Sequence, residues 1–350
     1  MSDISPIALT ATGVLMAAVL LAIFYIAVAW KHINHDRERD DDLRMATSIV
    51  ASALADPFQR STAVKAVSQL KWRQQAELIE RLVPTVGGSN ADWLSSIADV
   101  SDLAAKAENL CHSRFWWRRV YGIRLLGMLR RNNPVVRLLF YDRNNWVRVE
   151  AVRWAGIVKD ERSITGLLNR IGDEDSLMRR TASDAMLSFG NPVVKPLCDF
   201  LMTRHGKALV EALIIAEAMG DSRFHAPALN LSNDPSDQVR RKAIAVLGRI
   251  GGEEATTVLL DRVGDKNPGV RTEAARALGR LNHWPGAPKV AELLGDVHWE
   301  PRRASAEALM SMGHPGTLML KQSASSNNEL ASDTANYVLA AGRFSERTMG

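Results

Sequence analysis

Five stretches decide the reading of this chain when set under one another: Trp146-Val-Arg-Val-Glu-Ala-Val-Arg-Trp-Ala-Gly156, Leu177-Met-Arg-Arg-Thr-Ala-Ser-Asp-Ala-Met-Leu187, Gln238-Val-Arg-Arg-Lys-Ala-Ile-Ala-Val-Leu-Gly248, Gly269-Val-Arg-Thr-Glu-Ala-Ala-Arg-Ala-Leu-Gly279 and Glu300-Pro-Arg-Arg-Ala-Ser-Ala-Glu-Ala-Leu-Met310. The shared arginines are Arg148, Arg179, Arg240, Arg271 and Arg302. An earlier copy has Arg119, while two copies have lost the arginine and carry Leu209 and Ser332. Taken together, the eight positions recur at a nearly constant interval. Three residues after each position stands a small residue: Gly122, Ala151, Ala182, Ala212, Ala243, Ala274, Ser305 and Ala335. Six residues before the arginine stand Asp142, Asp173, Asp234, Asp265 and Asp296.

A fixed period of roughly 30 residues marks a stacked helical array, in which no unit buries its apolar face alone. Each period has room for two helices of roughly 10–13 residues and two short turns. The first helix reads clearly in 255–263 and 286–294. The second begins near the arginine and stops at a glycine such as Gly190, Gly220, Gly251 or Gly313, a common helix end. No strand-like alternation is sustained anywhere, so the class is all-α. Residues 46–113 show helical periodicity over 70–83 and 93–110, with a loop at 84–90, but lack the Asp and Arg. They read as divergent N-terminal repeats that cap the array.

The Asp, Val-Arg, Ala, Leu-Gly pattern resembles the HEAT-repeat family, in particular the short HEAT-like repeats of phycobilisome lyases. The resemblance covers 114–343, about eight repeats, with a short tail at 344–350. It implies a right-handed α-solenoid in which Asp142/Arg148, Asp173/Arg179, Asp234/Arg240, Asp265/Arg271 and Asp296/Arg302 form a ladder joining successive repeats. The copy around Leu209 has Thr203 at the Asp position, which puts the ladder there in doubt.

Ahead of the repeats, 6–30 contains no charged side chain. Twenty-five helical residues rise about 37 Å against a hydrocarbon core of about 30 Å, and Phe24, Tyr25 and Trp30 sit where an interfacial aromatic belt would lie. A cleaved signal would want a basic start and a shorter apolar core. The expectation is one retained N-terminal transmembrane helix over 1–30. Lys31, Arg37, Arg39 and Arg44 follow it and no Lys or Arg precedes it. That places the N-terminus outside and the repeats in the cytoplasm, at the inner membrane. The mixed-charge run 31–45 reads as a solvated juxtamembrane stalk.

Cys111 and Cys198 are the only cysteines and have no ligand spacing, which suits a reducing compartment. His32 and His35 lack a third ligand nearby, so neither a metal nor any other cofactor is expected. There is no phosphate-binding glycine loop, no GxSxG and no HExxH, the signatures of the commonest catalytic sites. Deoxyhypusine hydroxylase, a HEAT-like enzyme, carries adjacent His-Glu pairs for iron; the nearest match here is His298-Trp299-Glu300. The chain therefore reads as a binding protein and not as an enzyme, with a HEAT-like lyase as the remote alternative.

Net charge is +5, yet residues 111–180 hold 15 Lys and Arg against 7 Asp and Glu, giving +8 there and −3 elsewhere. Within that region Trp117, Val120 and Tyr121 share helical spacing and are expected in the core. Trp116, Arg118, Arg130, Arg131, Arg143 and Trp146 are candidates for contact with a partner or lipid, because arginine with aromatics is favoured at interfaces and basic side chains gain from anionic lipid. Doubled arginines at 179–180, 240–241 and 302–303 extend the positive character along the turn edge. The reading is a membrane-anchored scaffold that binds a protein partner. Similar bacterial proteins accompany membrane glycosyltransferases in polysaccharide systems, so an envelope-polysaccharide complex is the partner the resemblance implies. The rival is a nucleic-acid binder using 114–153; the membrane helix and the modest total charge oppose it.

Overall fold

In the computed structural model the described residues are 24–25, 40–100, 102–203 and 206–348, and all regular structure among them is helical. No helix among them is long and apolar enough to cross a membrane. The segment expected to span, 6–30, lies outside the described residues apart from Phe24 and Tyr25, which are helical and exposed. Most of the expected stalk lies outside them as well. Its last residues, from Asp40, belong to a helix, α1 (40–55), and Leu43 within it is already buried.

The chain forms two compact units, Met1–Val135 and Val136–Gly350. In the first, α1 is followed by α2 (Arg60–Gln69), α3 (Trp72–Leu82), α4 (Gly88–Val100), α5 (Leu103–Cys111) and α6 (Trp116–Met128). The loop expected over 84–90 is shorter: a 3-10 turn occupies Val83–Thr85 and α4 begins at Gly88. Helices α5 and α6 pack side by side. They meet at Gly122, where an added Cβ would lie 2.5 Å from the Ala107 carbonyl oxygen and 2.9 Å from Cys111 Sγ.

After α7 (Pro134–Leu138), which straddles the division, the second unit alternates long and short helices. The long ones are α8 (Asn145–Val158), α10 (Ser176–Phe189), α12 (Lys207–Met219), α14 (Asp237–Ile250), α16 (Pro268–Arg280), α18 (Trp299–Ser311) and α20 (Glu329–Thr348). Each long helix packs on the next, forming one layer. Between them run α9 (Ile164–Leu168), α11 (Asn191–Thr203), α13 (His225–Leu231), α15 (Glu253–Arg262), α17 (Ala287–Ala291) and α19 (His314–Ala324). These make the second layer: α9 touches α11, α11 touches α13, α13 touches α15, and α17 touches α19. Several of them are shorter than the repeat pattern leads one to expect. Helices α9, α13 and α17 each follow a 3-10 turn, at Glu161–Ser163, Ser222–Phe224 and Trp284–Gly286.

The recurrent polar residues of the period build the turn and join the repeats. Each motif aspartate accepts the backbone N–H two residues on: Asp142 from Asn144 at 2.8 Å, Asp173 from Asp175 at 3.1 Å, Asp234 from Ser236 at 2.8 Å, Asp265 from Asn267 at 2.8 Å and Asp296 from His298 at 2.9 Å. This local bond favours a turn over continued helix. The arginine of the same repeat turns instead to the main chain. Its Nη1 donates to the carbonyls of the turn, as Arg240 does to Asp234 and Pro235 at 3.0 and 3.1 Å and Arg271 to Asp265 and Lys266 at 2.8 and 3.2 Å. Arg148, Arg179 and Arg302 repeat the arrangement.

At two joints the carboxylate faces the arginine of the preceding repeat. Arg240 grips Asp265 through Nε and Nη2 at 3.0 and 3.1 Å, and Arg271 grips Asp296 at 2.6 and 2.8 Å. Five fixed N–H donors let one guanidinium serve both its own turn and its neighbour, which a lysine could not do. The ladder takes other forms elsewhere. Arg148 spends Nη2 on Asn145 at 3.1 Å, Asp173 is held by Arg170 at 3.2 Å, and the α8–α10 joint is bridged by Asn145 to Asp175. In the aberrant copy Thr203 bonds back to Asp199 within α11, and Arg179 reaches Glu211 at 3.3 Å.

Small residues set the spacing of the long helices. The motif positions Ala151, Ala182, Ala212, Ala243, Ala274, Ser305 and Ala335 are all fully buried. A tighter approach lies at the glycine of the Leu-Gly pair. A Cβ on Gly248 would stand 2.4 Å from Ala277 Cβ, and one on Gly279 2.9 Å from Ala308 Cα. Ser311 Oγ then donates to the Gly279 carbonyl at 3.2 Å, as Ser188 does to Gly156 at 2.9 Å.

Arg240 and Asp265 are buried, their side chains 6% and 5% exposed, so Arg240→Ala leaves an uncompensated carboxylate and costs about 3–5 kcal/mol. Arg302→Ala, which gives up bonds to the turn carbonyls of Asp296 and Val297, costs less in the same denaturation experiment. Burial alone would raise the Asp265 carboxyl, but the Arg240 and Asn267 donors outweigh it and hold it below its ordinary value of 3.8. As pH falls, the unfolded chain therefore takes up the proton first. The stabilisation is full above pH 3.8 and is lost below it, toward the folded value, so Arg240→Ala approaches wild-type stability in acid. Separately, Gly248→Ala destabilises by about 1–3 kcal/mol despite a helix-propensity gain of about 1 kcal/mol. Gly87→Ala, with open space around it, is near neutral in the same thermal melts.

Candidate interaction surface

The loop that leads into α6 shows how the repeat motif positions side chains for contact. At the place of the motif aspartate stands Ser113, whose Oγ accepts the Phe115 N–H at 3.3 Å. Arg119 Nη1 donates to the Ser113 and Arg114 carbonyls at 2.9 and 3.2 Å. The turn is pinned from both sides, and Phe115 becomes the extended residue that starts α6. What it holds outward is an aromatic–arginine cluster. Phe115 stacks on Trp117 with ring centroids 4.6 Å apart, and Trp116 meets Trp117 edge-on at 6.1 Å. The guanidinium groups of Arg114 and Arg118 lie 4.5 and 5.3 Å from the Phe115 ring centroid.

Trp116 and Trp117 remain 42% and 52% exposed. The expectation that Trp117 joins the core is therefore corrected. Val120 is buried and Tyr121 half-buried, but Trp117 lies in the first turn of α6, two residues before the motif arginine. In the second unit Trp146, Leu177, Gln238 and Glu300 hold the same place and are also exposed. Hydrophobic spacing along the helix cannot distinguish that register from a buried one.

The other candidates separate from this cluster. Arg130 adopts a left-handed conformation at the end of α6, with φ 49°, and its Nη1 pairs with Asp92 at 2.7 Å. The Arg131 N–H closes the same helix end on the Leu126 carbonyl at 2.9 Å. Both thus terminate α6. Arg143 and Trp146 belong to the second unit, where both are exposed; the Trp146 N–H is capped by Asn144 at 3.0 Å. Nearby in that unit, Arg170 lies over the exposed Tyr141 ring at 4.9 Å.

Five of the 15 Lys and Arg of residues 111–180 make ion pairs, three of them with acids already counted in the +8. Arg130 pairs with Asp92, Arg137 with Asp160, Arg153 with Glu150, Arg170 with Asp173 and Arg179 with Glu211. The doubled arginines divide similarly: the first turns to its loop, and Arg303 pairs with Glu307 at 2.8 Å while lying over Trp299. Among the described residues no group of three or more His, Cys, Asp and Glu could hold a metal.

Beside the cluster, α3, α5 and α6 enclose a cleft that the sequence did not suggest, because its walls come from distant segments. Trp72, Leu110 and Arg118 line it, with Tyr121 at one end. Burial, and then the charges and hydrogen bond of Glu80, push the Tyr121 hydroxyl up to about 12, so it is a proton donor at physiological pH.

Residues 226–310 match the family described as HEAT repeats. No curated protein matches the chain. Among solved structures, Kap95p in its complex with RanGDP is similar at 12% identity and a TM-score of 0.48, over 85% of this chain and 51% of that one. The CpcE–CpcF phycocyanin lyase of Nostoc sp. PCC7120 is similar at 16% identity and a TM-score of 0.30, over 68% and 94%. Human deoxyhypusine hydroxylase with glycerol is similar at 17% identity and a TM-score of 0.28, over 85% and 96%. The HEAT-like assignment rests on the matched segment and on the observed order of paired helices.

Because Arg118 makes no ion pair among the described residues, Arg118→Ala should change stability by no more than about 0.5 kcal/mol. Trp116→Ala, which gives up an edge-on ring contact, should cost at most about 1.5 kcal/mol. Chemical denaturation of each variant checks that the cluster is surface and not support.

Proposed function

We propose that this chain is a membrane-anchored adaptor whose HEAT-like repeats dock a protein partner through the Arg114–Arg118 surface. One observation carries the reading: a stacked Phe115–Trp117 pair with Trp116 and the guanidinium groups of Arg114 and Arg118, held outward on a turn that Arg119 fixes. Aromatics and arginine bring large contact area and directional donors at low entropic cost, which is the composition of binding hot spots.

The apolar, uncharged run of 6–30 supports the anchor. The arginines and lysine that follow it support a cytoplasmic position for the repeats at the inner membrane. Confinement to the membrane raises the effective concentration toward a membrane partner without any new contact. A membrane glycosyltransferase or another envelope-polysaccharide complex is the partner class that follows from the resemblance of this architecture.

A photo-crosslinking residue in place of Trp116 tests the reading in intact membranes. The expected result is one discrete adduct to an integral membrane protein, lost when Arg118→Ala is added. The same residue in place of Phe58, which is exposed and lies outside the Arg114–Arg118 segment, should give none. No adduct at position 116, or equal labelling at both positions, contradicts the proposal. Recovery of the chain in the soluble fraction contradicts the anchor alone.

A further inference from the structure

The cleft beside the aromatic cluster is polarised. It consists of two adjoining hollows of about 370 and 610 Å³ that share Trp72, Leu110 and Arg118. The smaller hollow adds Lys106, Asn109, His112 and Ser113 and has no carboxylate in its lining. The larger adds Arg73, Glu77, Glu80 and Tyr121. Glu77 is neutralised by Arg81 at 2.6 Å, and Glu80 is engaged by the Tyr121 hydroxyl. Lys106 and Arg118, by contrast, have no acidic partner among the described residues. An apolar floor of Trp72 and Leu110 thus has Lys106 and Arg118 in a hollow without carboxylates, while Glu77 and Glu80 lie in the other, which Arg73 and Arg118 also line.

We infer that this cleft binds an acidic peptide segment of the partner, with carboxylates on Lys106 and Arg118 and an apolar or aromatic side chain on the Trp72–Leu110 floor. The inference deepens the adaptor reading and rests on it. Charge complementarity selects the occupant. A run of Asp and Glu matches the cationic hollow, and the following apolar residue reaches the floor before the chain meets Glu77 and Glu80. An anionic bilayer surface presents headgroup charge alone and offers no side chain to fill the Trp72–Leu110 floor. Arg118 borders both this cleft and the Phe115 ring, so the peptide would lie alongside the exposed tryptophans and be flanked by them. Two solvent-facing cations contribute to on-rate and specificity through steering as well as contact.

The test uses the full chain in detergent micelles and a short fluorescent peptide in which glutamates flank a central Leu-Phe pair. Fluorescence anisotropy should show saturable binding, weakened roughly tenfold by Lys106→Ala combined with Arg118→Ala. It should vanish when the peptide's glutamates are replaced by glutamines. Arg118→Glu should abolish binding of the acidic peptide and gain binding of its lysine counterpart. That reciprocal switch cannot come from partial unfolding, and circular dichroism of each variant confirms the fold. Absence of binding overturns the inference, as does binding indifferent to Arg118→Glu. So does binding of the full chain to phosphatidylglycerol vesicles that falls with the same substitutions while the peptide is not bound. If the peptide fails but the Trp116 crosslink to a membrane protein persists, this inference falls and the adaptor reading stands.

Discussion

One guanidinium group with two sets of obligations organises the repeats. At Arg240 and Arg271, Nη1 closes the turn of its own repeat while Nε and Nη2 hold the aspartate that folds the turn of the next. The same aspartate also accepts a backbone N–H of its own turn. Local turn chemistry and the repeat-to-repeat contact are therefore one hydrogen-bond network, and neither side can shift without unpairing a buried charge. The long helices can then approach closely enough for Gly248 to meet Ala277 and Gly279 to meet Ala308. Where the network changes, substitutes of a different kind appear: Asn145 to Asp175 at the α8–α10 joint, and Glu211 for Arg179.

The period, the arginines and the buried small residues are legible in the sequence because each repeat meets the same neighbour and must satisfy the same constraints. The lengths of the first helices are not, since a 3-10 turn and a helical turn share the same apolar spacing. The ladder of aspartate and arginine between successive repeats comes from the family resemblance and not from the spacing of the two residues. At Asp265 and Asp296 the carboxylate meets the arginine of the preceding repeat, whose Nη1 closes its own turn. Gly248 and Gly279 read as ordinary members of a Leu-Gly pair, while Gly190 and Gly313, at φ 69° each, are the helix ends that the pattern anticipates.

The candidate surface is legible in composition but not in arrangement. Trp116 and Arg118 stand out as residues the repeat does not require, and they do face solvent. Arg130 and Arg131 carry the same chemistry, yet Arg130 pairs with Asp92 and the Arg131 backbone N–H closes α6, placements that depend on where the helix stops. Trp117 is misread because an aromatic on an apolar stripe looks like core unless its distance from the motif arginine is taken into account. The cleft of Trp72, Leu110 and Arg118 cannot be read at all, since it needs three helices brought together. The candidate surface depends on the motif arginine as much as the fold does: Arg119 has no motif aspartate before it, and the turn it pins presents the aromatic cluster.

The central claim is that arginine and aspartate of successive repeats act as one buried unit. A double-mutant cycle of Arg240→Ala and Asp265→Ala, read by urea denaturation at neutral pH, tests it most directly. The account predicts a coupling energy within the range of about 0.5–3 kcal/mol found for directly interacting residues, with the double variant more stable than the sum of the two losses implies. Additive losses would mean that the two side chains serve their own turns independently, and would contradict it.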